Sequence, residues 1–154
     1  MAPFDVAAGE EQRVSMDQWW GYPRSRERIL AAVAERAANR TVVLTGDIHA
    51  NWVNELRAGF DRPDRPVVAA EFVGTSIASE GDGAEVNDFT KSRLNELPYV
   101  KWHSQRRGYY ISDVTEREWR TEYREVPFIT RAGAPVSTVS RWRVEHGRPG
   151  ITAV

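Results

Sequence analysis

The chain has no cysteine among its 154 residues, which excludes disulfide staples, thiolate nucleophiles and sulfur ligands to a metal. Any metal must be held by histidine, carboxylate, amide or phenolate groups. Lysine occurs only at Lys91 and Lys101, so nearly all positive charge is guanidinium. The arginines are spread along the chain, the pattern of a compositional bias more than of a phosphate-binding fork. An excess of one charge is missing too: 21 Lys and Arg against 22 Asp and Glu leave a formal −1, which removes the electrostatic case for a nucleic-acid-binding module. No apolar run approaches the roughly 20 residues needed to cross a bilayer, and no membrane partner is expected. The opening Met1-Ala2-Pro3-Phe4-Asp5 runs into acidic Glu10 and Glu11 and lacks the basic and apolar regions of an export signal.

What is present is globular in composition, 41% hydrophobic and 28% charged, and a chain of this length can bury about 68–70% of its unfolded surface. Residues 1–15 carry Pro, Gly and paired acids without a period, and read as an irregular arm. From Arg24 to Asn39 the apolar Ile29, Leu30, Val33, Ala34 and Ala37 fall at helical spacing. Pro23 suits the first helical turn, and Asn39 a left-handed cap. Thr41 to Thr45 is a β-branched run without alternation, which predicts a central strand covered on both faces. A second such run spans Val67 to Val73.

Between Ile77 and Asn87 the segment Ser79-Glu80-Gly81-Asp82-Gly83 predicts a mobile, turn-rich connector. Asn87 to Glu96 suits a short helix closed by Pro98. Farther on, Gly108 to Thr115, Glu118 to Val126 and Ser137 to Glu145 alternate in period two between turn signals, the pattern of a small antiparallel meander. No solenoid repeat and no low-complexity tract interrupts this order.

Chemistry concentrates in the turn Gly46-Asp47-Ile48-His49 after the first buried strand. In an extended conformation Asp47 and His49, two apart, project to one side, so a carboxylate and an imidazole reach one small volume. They could serve one metal, or one each of two metals about 3.5–4 Å apart. The plain alternative is an aspartate capping a turn beside a surface histidine. Gly46 allows close backbone approach, Asn51 adds an amide that can bind or orient a ligand, and Trp52 can wall the site against water.

The run Met16-Asp17-Gln18-Trp19-Trp20-Gly21-Tyr22-Pro23, then Val43-Leu44-Thr45-Gly46-Asp47-Ile48-His49-Ala50-Asn51-Trp52, then Glu71-Phe72-Val73-Gly74-Thr75-Ser76-Ile77, then Arg107-Gly108-Tyr109 resembles the carboxyl-terminal half of the PhoD-like alkaline phosphatases, in the calcineurin-like metallophosphoesterase superfamily. Four ordered motifs make the resemblance specific, and it spans nearly the whole chain. It implies an α/β (α+β) fold: the C-terminal part of a four-layer αββα sandwich, with a helix–strand–turn core over 16–100 and an antiparallel meander over 101–150. It implies hydrolysis of phosphomonoesters or phosphodiesters by a metal-activated hydroxide, at a dinuclear or multinuclear centre of iron and calcium. Asp47 and His49 match metal ligands, while Asn51 and Trp52 match motif positions with orienting or walling roles. Thr75 and Ser76 match a motif without an assigned role, and no catalytic residue besides the metal donors is assigned.

Two positions depart from the family pattern: Trp20, where relatives commonly have Asp, and Tyr99, in Leu97-Pro98-Tyr99, where relatives have an Asn-Pro-His run. Phosphate-ester hydrolysis requires accelerations of up to about 10²¹, and a dinuclear centre that supplies them draws on about six protein donors. The chain has three histidines; beyond His49, His103 and His146 suit hydrogen-bonded or surface roles. The remaining ligands are expected from an amino-terminal half or an oligomeric partner, so the chain reads as a catalytically incomplete piece acting on a phosphate-ester substrate. Relatives are usually exported through a twin-arginine signal, which would lie upstream of Met1. The alternative function is a non-catalytic binding or interaction module derived from the same fold.

Overall fold

The computed structural model describes residues 15–59, 64–79, 81–86, 88–95 and 97–154; the arm expected over residues 1–15 lies, but for Ser15, outside them. A single 3-10 turn, Trp19–Gly21, leads into α1, Pro23–Arg36, with Pro23 in its first turn. That proline lacks the amide hydrogen that a helix start leaves unbonded, and its fixed φ suits the helix. α1 closes at Ala37, and Asn39 follows in the left-handed region at φ 60°.

Strand β1, Thr41–Thr45, runs parallel to β3, Val67–Val73, and β2, Asn51–Arg57, runs antiparallel to β3 on its other side. β4, Gly83–Ala84, and α2, Asp88–Asn95, precede β5, Val100–Val114. β6, Glu118–Val126, β7, Ser137–Glu145, and β8, Thr152–Ala153, complete a sheet of order β1-β3-β2-β5-β6-β7-β8, with β4 on β5. β5 serves two neighbours: residues from Val100 to Ser104 pair with β2, and those from Arg107 to Val114 pair with β6.

That division folds the sheet onto itself. Val53, Ala70 and Phe72 from β2 and β3 share one cluster with Tyr123, Trp142, Val144 and Ile151 from the meander side. On the opposite face Leu30 of α1 packs with Leu56, Val68 and Ala69. Helix, sheet and sheet therefore stack as successive layers, since each apolar face must be covered by another element. Tyr123, fully buried, donates its hydroxyl to the Trp52 carbonyl at 2.8 Å and ties the two sheet layers together. No described helix is long and apolar enough to cross a membrane.

Two expectations are corrected. β1 is not central: among the described residues it bonds to β3 alone, and Leu44 is 49% exposed. A hydrophobic run reports that faces are apolar, not that a second strand lies alongside. The connector over 77–87 is not free either. Gly83–Ala84 pairs with Gln105 and Arg106, and Asp82 accepts the Ile129 and Thr130 amides at 2.7 and 2.9 Å. Those bonds to the charged form hold the Asp82 carboxyl below its usual range.

Candidate functional site

The chain must reverse between Thr45 and Asn51, because β1 and β2 run in opposite directions on either side of β3. It does so through two non-glycine residues in the left-handed region, Asp47 at φ 72° and His49 at φ 53°, with the Ile48 amide bonded to the Gly46 carbonyl at 2.9 Å. The extended conformation expected for this turn is therefore replaced by a wound one. Left-handed backbone costs an L-residue about 1–2 kcal/mol, and such residues persist where the surroundings over-determine them and cluster at functional sites.

The surroundings are specific. Arg107, only 5% exposed, donates from Nη1 to the His49 carbonyl at 2.6 Å and from Nε to the Gly81 carbonyl at 3.0 Å. Asn51, fully buried, donates from Nδ2 to Glu125 Oε1 at 2.9 Å and accepts the Thr75 amide on Oδ1 at 3.0 Å. The turn is thus fixed through its backbone by β5, by the segment after β3 and, through Glu125, by the meander. Thr75, without an assigned role in the sequence, is where two of these ties meet, since its hydroxyl also lies 3.5 Å from Arg107 Nη1.

His103 completes the underside of the turn. Its ring lies 3.8 Å from that of Trp52, and Nδ1 lies 2.9 Å from the Asn51 carbonyl. A carbonyl only accepts, so Nδ1 carries the proton in the neutral ring. Burial lowers the imidazole from 6.5 to about 4, against a smaller opposite effect of the Asn51 bond. A histidine kept neutral by the fold binds its proton more weakly than in the unfolded chain. His103 therefore costs no stability above about pH 6.5 and increasingly destabilises the fold as pH falls toward about 4. Between about pH 7 and 5 this costs roughly 2 kcal/mol; denaturant titration should find that pH-dependent loss in the native chain and not in His103→Phe.

A cavity of about 340 Å³ opens beside the turn on the α1 side of the sheet. Trp19 and Trp20 form one wall, Asp47 and Thr45 another, and Asn54 and Glu71 contribute from β2 and β3. Trp52 also lines it. His49 and Asn51 are not among its lining residues: His49 is half-buried beyond the cavity, and Asn51 sits on the opposite face of β2 from Trp52. Among the described residues no group of three or more His, Asp or Glu side chains could hold a metal ion.

Glu71 is fully buried, accepting Asn54 Nδ2 on Oε2 at 2.9 Å and the Thr45 hydroxyl on Oε1 at 3.4 Å. It joins β1, β2 and β3 just below the turn. Its role was visible only as the single charge inside an otherwise apolar run. Arg107 stood in the sequence only as a member of the Arg107-Gly108-Tyr109 motif, without a role, and Glu125 gave no signal, because the His49 and Asn51 groups they hold lie 58 and 74 residues away. Tyr99 is buried outside the cavity lining, and burial pushes its phenol up to about 12 although Arg26 acts against the shift. His146 is exposed, with Nδ1 at 3.1 Å from the Glu116 carbonyl.

A helix on a folded sheet, with a carboxylate–imidazole turn in left-handed backbone at a strand end, defines a mixed α/β protein. A solved structure described as that of PhoD superposes with a TM-score of 0.89 at 36% identity, covering 99% of this chain and 29% of that one. The PhoD-like phosphatase family model matches residues 1–123, and the chain belongs to that family. It is 39% identical over 140 residues to alkaline phosphatase D of Bacillus subtilis (strain 168), which covers 91% of this chain. The chain spans 24% of that relative's length.

Proposed function

We propose that this chain carries the part of a phosphoric ester hydrolase that supplies Asp47 and His49 to a metal centre. The observation that carries the reading is the turn itself: both donors sit in left-handed backbone, and that backbone is clamped by Arg107 at the His49 carbonyl. Aspartate and histidine are among the residues that adopt left-handed backbone most readily, and here a carboxylate and an imidazole occupy alternate positions of one turn. A carboxylate and an imidazole suit hard and borderline ions such as calcium and iron. Two donors fit a share of a site, and the rest would come from beyond the described residues. A bound metal supplies Lewis-acid activation of water and neutralises charge on the phosphoryl oxygens. Asn51 orients the turn from beneath, and Trp52 excludes water on the cavity side.

The edge of β1, which bonds to no second strand among the described residues, is the surface at which the remainder of the site joins, in the same chain or an oligomeric partner. Unpaired strand edges recruit other strands, and this one ends at the proposed donors. Phosphomonoesters and phosphodiesters are both candidate substrates. The test is a chimera in which this chain replaces the matched region of Bacillus subtilis alkaline phosphatase D. Hydrolysis of p-nitrophenyl phosphate and its bis ester, with bound metal found by elemental analysis, is the expected outcome. A folded chimera that neither binds metal nor turns over would support the second reading, a non-catalytic module, which the indole of Trp20 beside Asp47 favours.

A further inference from the structure

The cavity beside Asp47 has a chemistry that the metal donors do not explain. Besides Asp47, two carboxylate residues that have no part in the proposed metal centre, Asp17 and Glu71, line it together with the indoles of Trp19 and Trp20, and among the described residues no lysine, arginine or histidine does. Asn54 supplies an independent pointer. It is 4% exposed, its Nδ2 is committed to Glu71, and its Oδ1 is buried without a hydrogen-bond partner. A buried acceptor left unpaired costs about 1–3 kcal/mol, so a donor or a cation is the complement it lacks.

We infer that this cavity binds an organic ammonium group. An anion is repelled by the carboxylates. A neutral apolar group leaves the negative potential and the Asn54 oxygen unanswered, and a bare metal ion makes no use of two indole walls. An ammonium answers all three: its charge meets the carboxylates, it offsets through space the unpaired Asn54 oxygen buried beneath the cavity wall, and cation–π attraction to indole contributes up to about 2 kcal/mol when desolvated. Trp19, 43% exposed, and Trp20, 7% exposed, supply the two indoles. The volume admits a head group of choline size. Where the phosphatase reading holds, and only then, this ammonium would belong to the alcohol portion of the ester, placing its phosphoryl group toward Asp47.

Calorimetric titration of the chain with choline chloride, and with 3,3-dimethylbutan-1-ol as its neutral carbon isostere, tests the binding claim without reference to turnover. Choline should bind at least about tenfold tighter than the isostere, the equivalent of one favourable cation–π contact. Trp19→Ala should remove most of that advantage, and Asp17→Asn should reduce it while leaving the far-ultraviolet circular dichroism unchanged. Equal affinities, no saturable binding of either compound, or a site filled by calcium chloride to the exclusion of choline overturns the inference. The link to the ester is read separately, as a preference of the chimera for choline phosphate over the phosphate of the isostere. Its absence with choline binding intact removes the link alone.

Discussion

Gly108→Ala should destabilise the chain by about 3 kcal/mol or more, lowering its melting temperature by roughly 6–12 °C. Gly108 lies where β5 passes from β2 to β6, and its amide donates to the Ser76 carbonyl at 3.2 Å. A β-carbon there would stand 2.0 Å from the Arg124 carbonyl oxygen and 2.9 Å from the Glu125 α-carbon. Both are backbone atoms of the paired strand, so relief requires β5 and β6 to separate. Gly133, at φ 88° with nothing within 4 Å of its β-carbon position, is the control. Gly133→Ala bears only the cost of its backbone angle, of the order of 1 kcal/mol. Chemical denaturation of the two variants measures the difference, and equal losses would show that the crossing strands have slack.

The damage from Gly108→Ala should also reach the candidate site. Arg107 precedes it and holds the His49 carbonyl, and Glu125, its register partner, holds Asn51. A shift at this point loosens two clamps on the turn together.

Several elements were legible because their signals are local. Pro23 and the spacing of Ile29, Leu30 and Val33 mark α1 directly, and the alternation in Glu118–Val126 and Ser137–Glu145 coincides with β6 and β7. β2 was not legible, since Asn51, Asn54 and Glu55 interrupt its apolar pattern. Their burial is tolerated only because each finds a distant partner: Glu125 for Asn51, Glu71 for Asn54, and Lys101 and the Ile151 amide for Glu55. The first half of β5 was hidden likewise by Lys101, His103 and Arg106. For the candidate site, the sequence singles out Asp47, His49, Asn51 and Trp52 as candidates. Their sorting onto two faces of β2, and the winding of the turn, depend on strand directions that no local pattern encodes.

Strain makes the turn testable by a change that separates function from stability. Asp47→Gly replaces a left-handed aspartate by the residue for which that backbone is free. If the aspartate is kept for its carboxylate, the variant should be as stable as the parent or up to about 1 kcal/mol more stable. Hydrolysis of p-nitrophenyl phosphate by the chimera should meanwhile fall by about 10³-fold or more, as for loss of a group that acts in the transition state. His49→Gly should lose activity similarly, though its stability also carries the loss of a half-buried ring.

The most direct measurement is therefore Asp47→Gly made both in this chain and in the chimera, with denaturant stability read in the first, and turnover and bound metal in the second. Unchanged or raised stability with loss of turnover and metal is the expected result. A clear loss of stability in the chain, with turnover and metal content retained in the chimera, would identify Asp47 as a structural cap and contradict its place in the metal site.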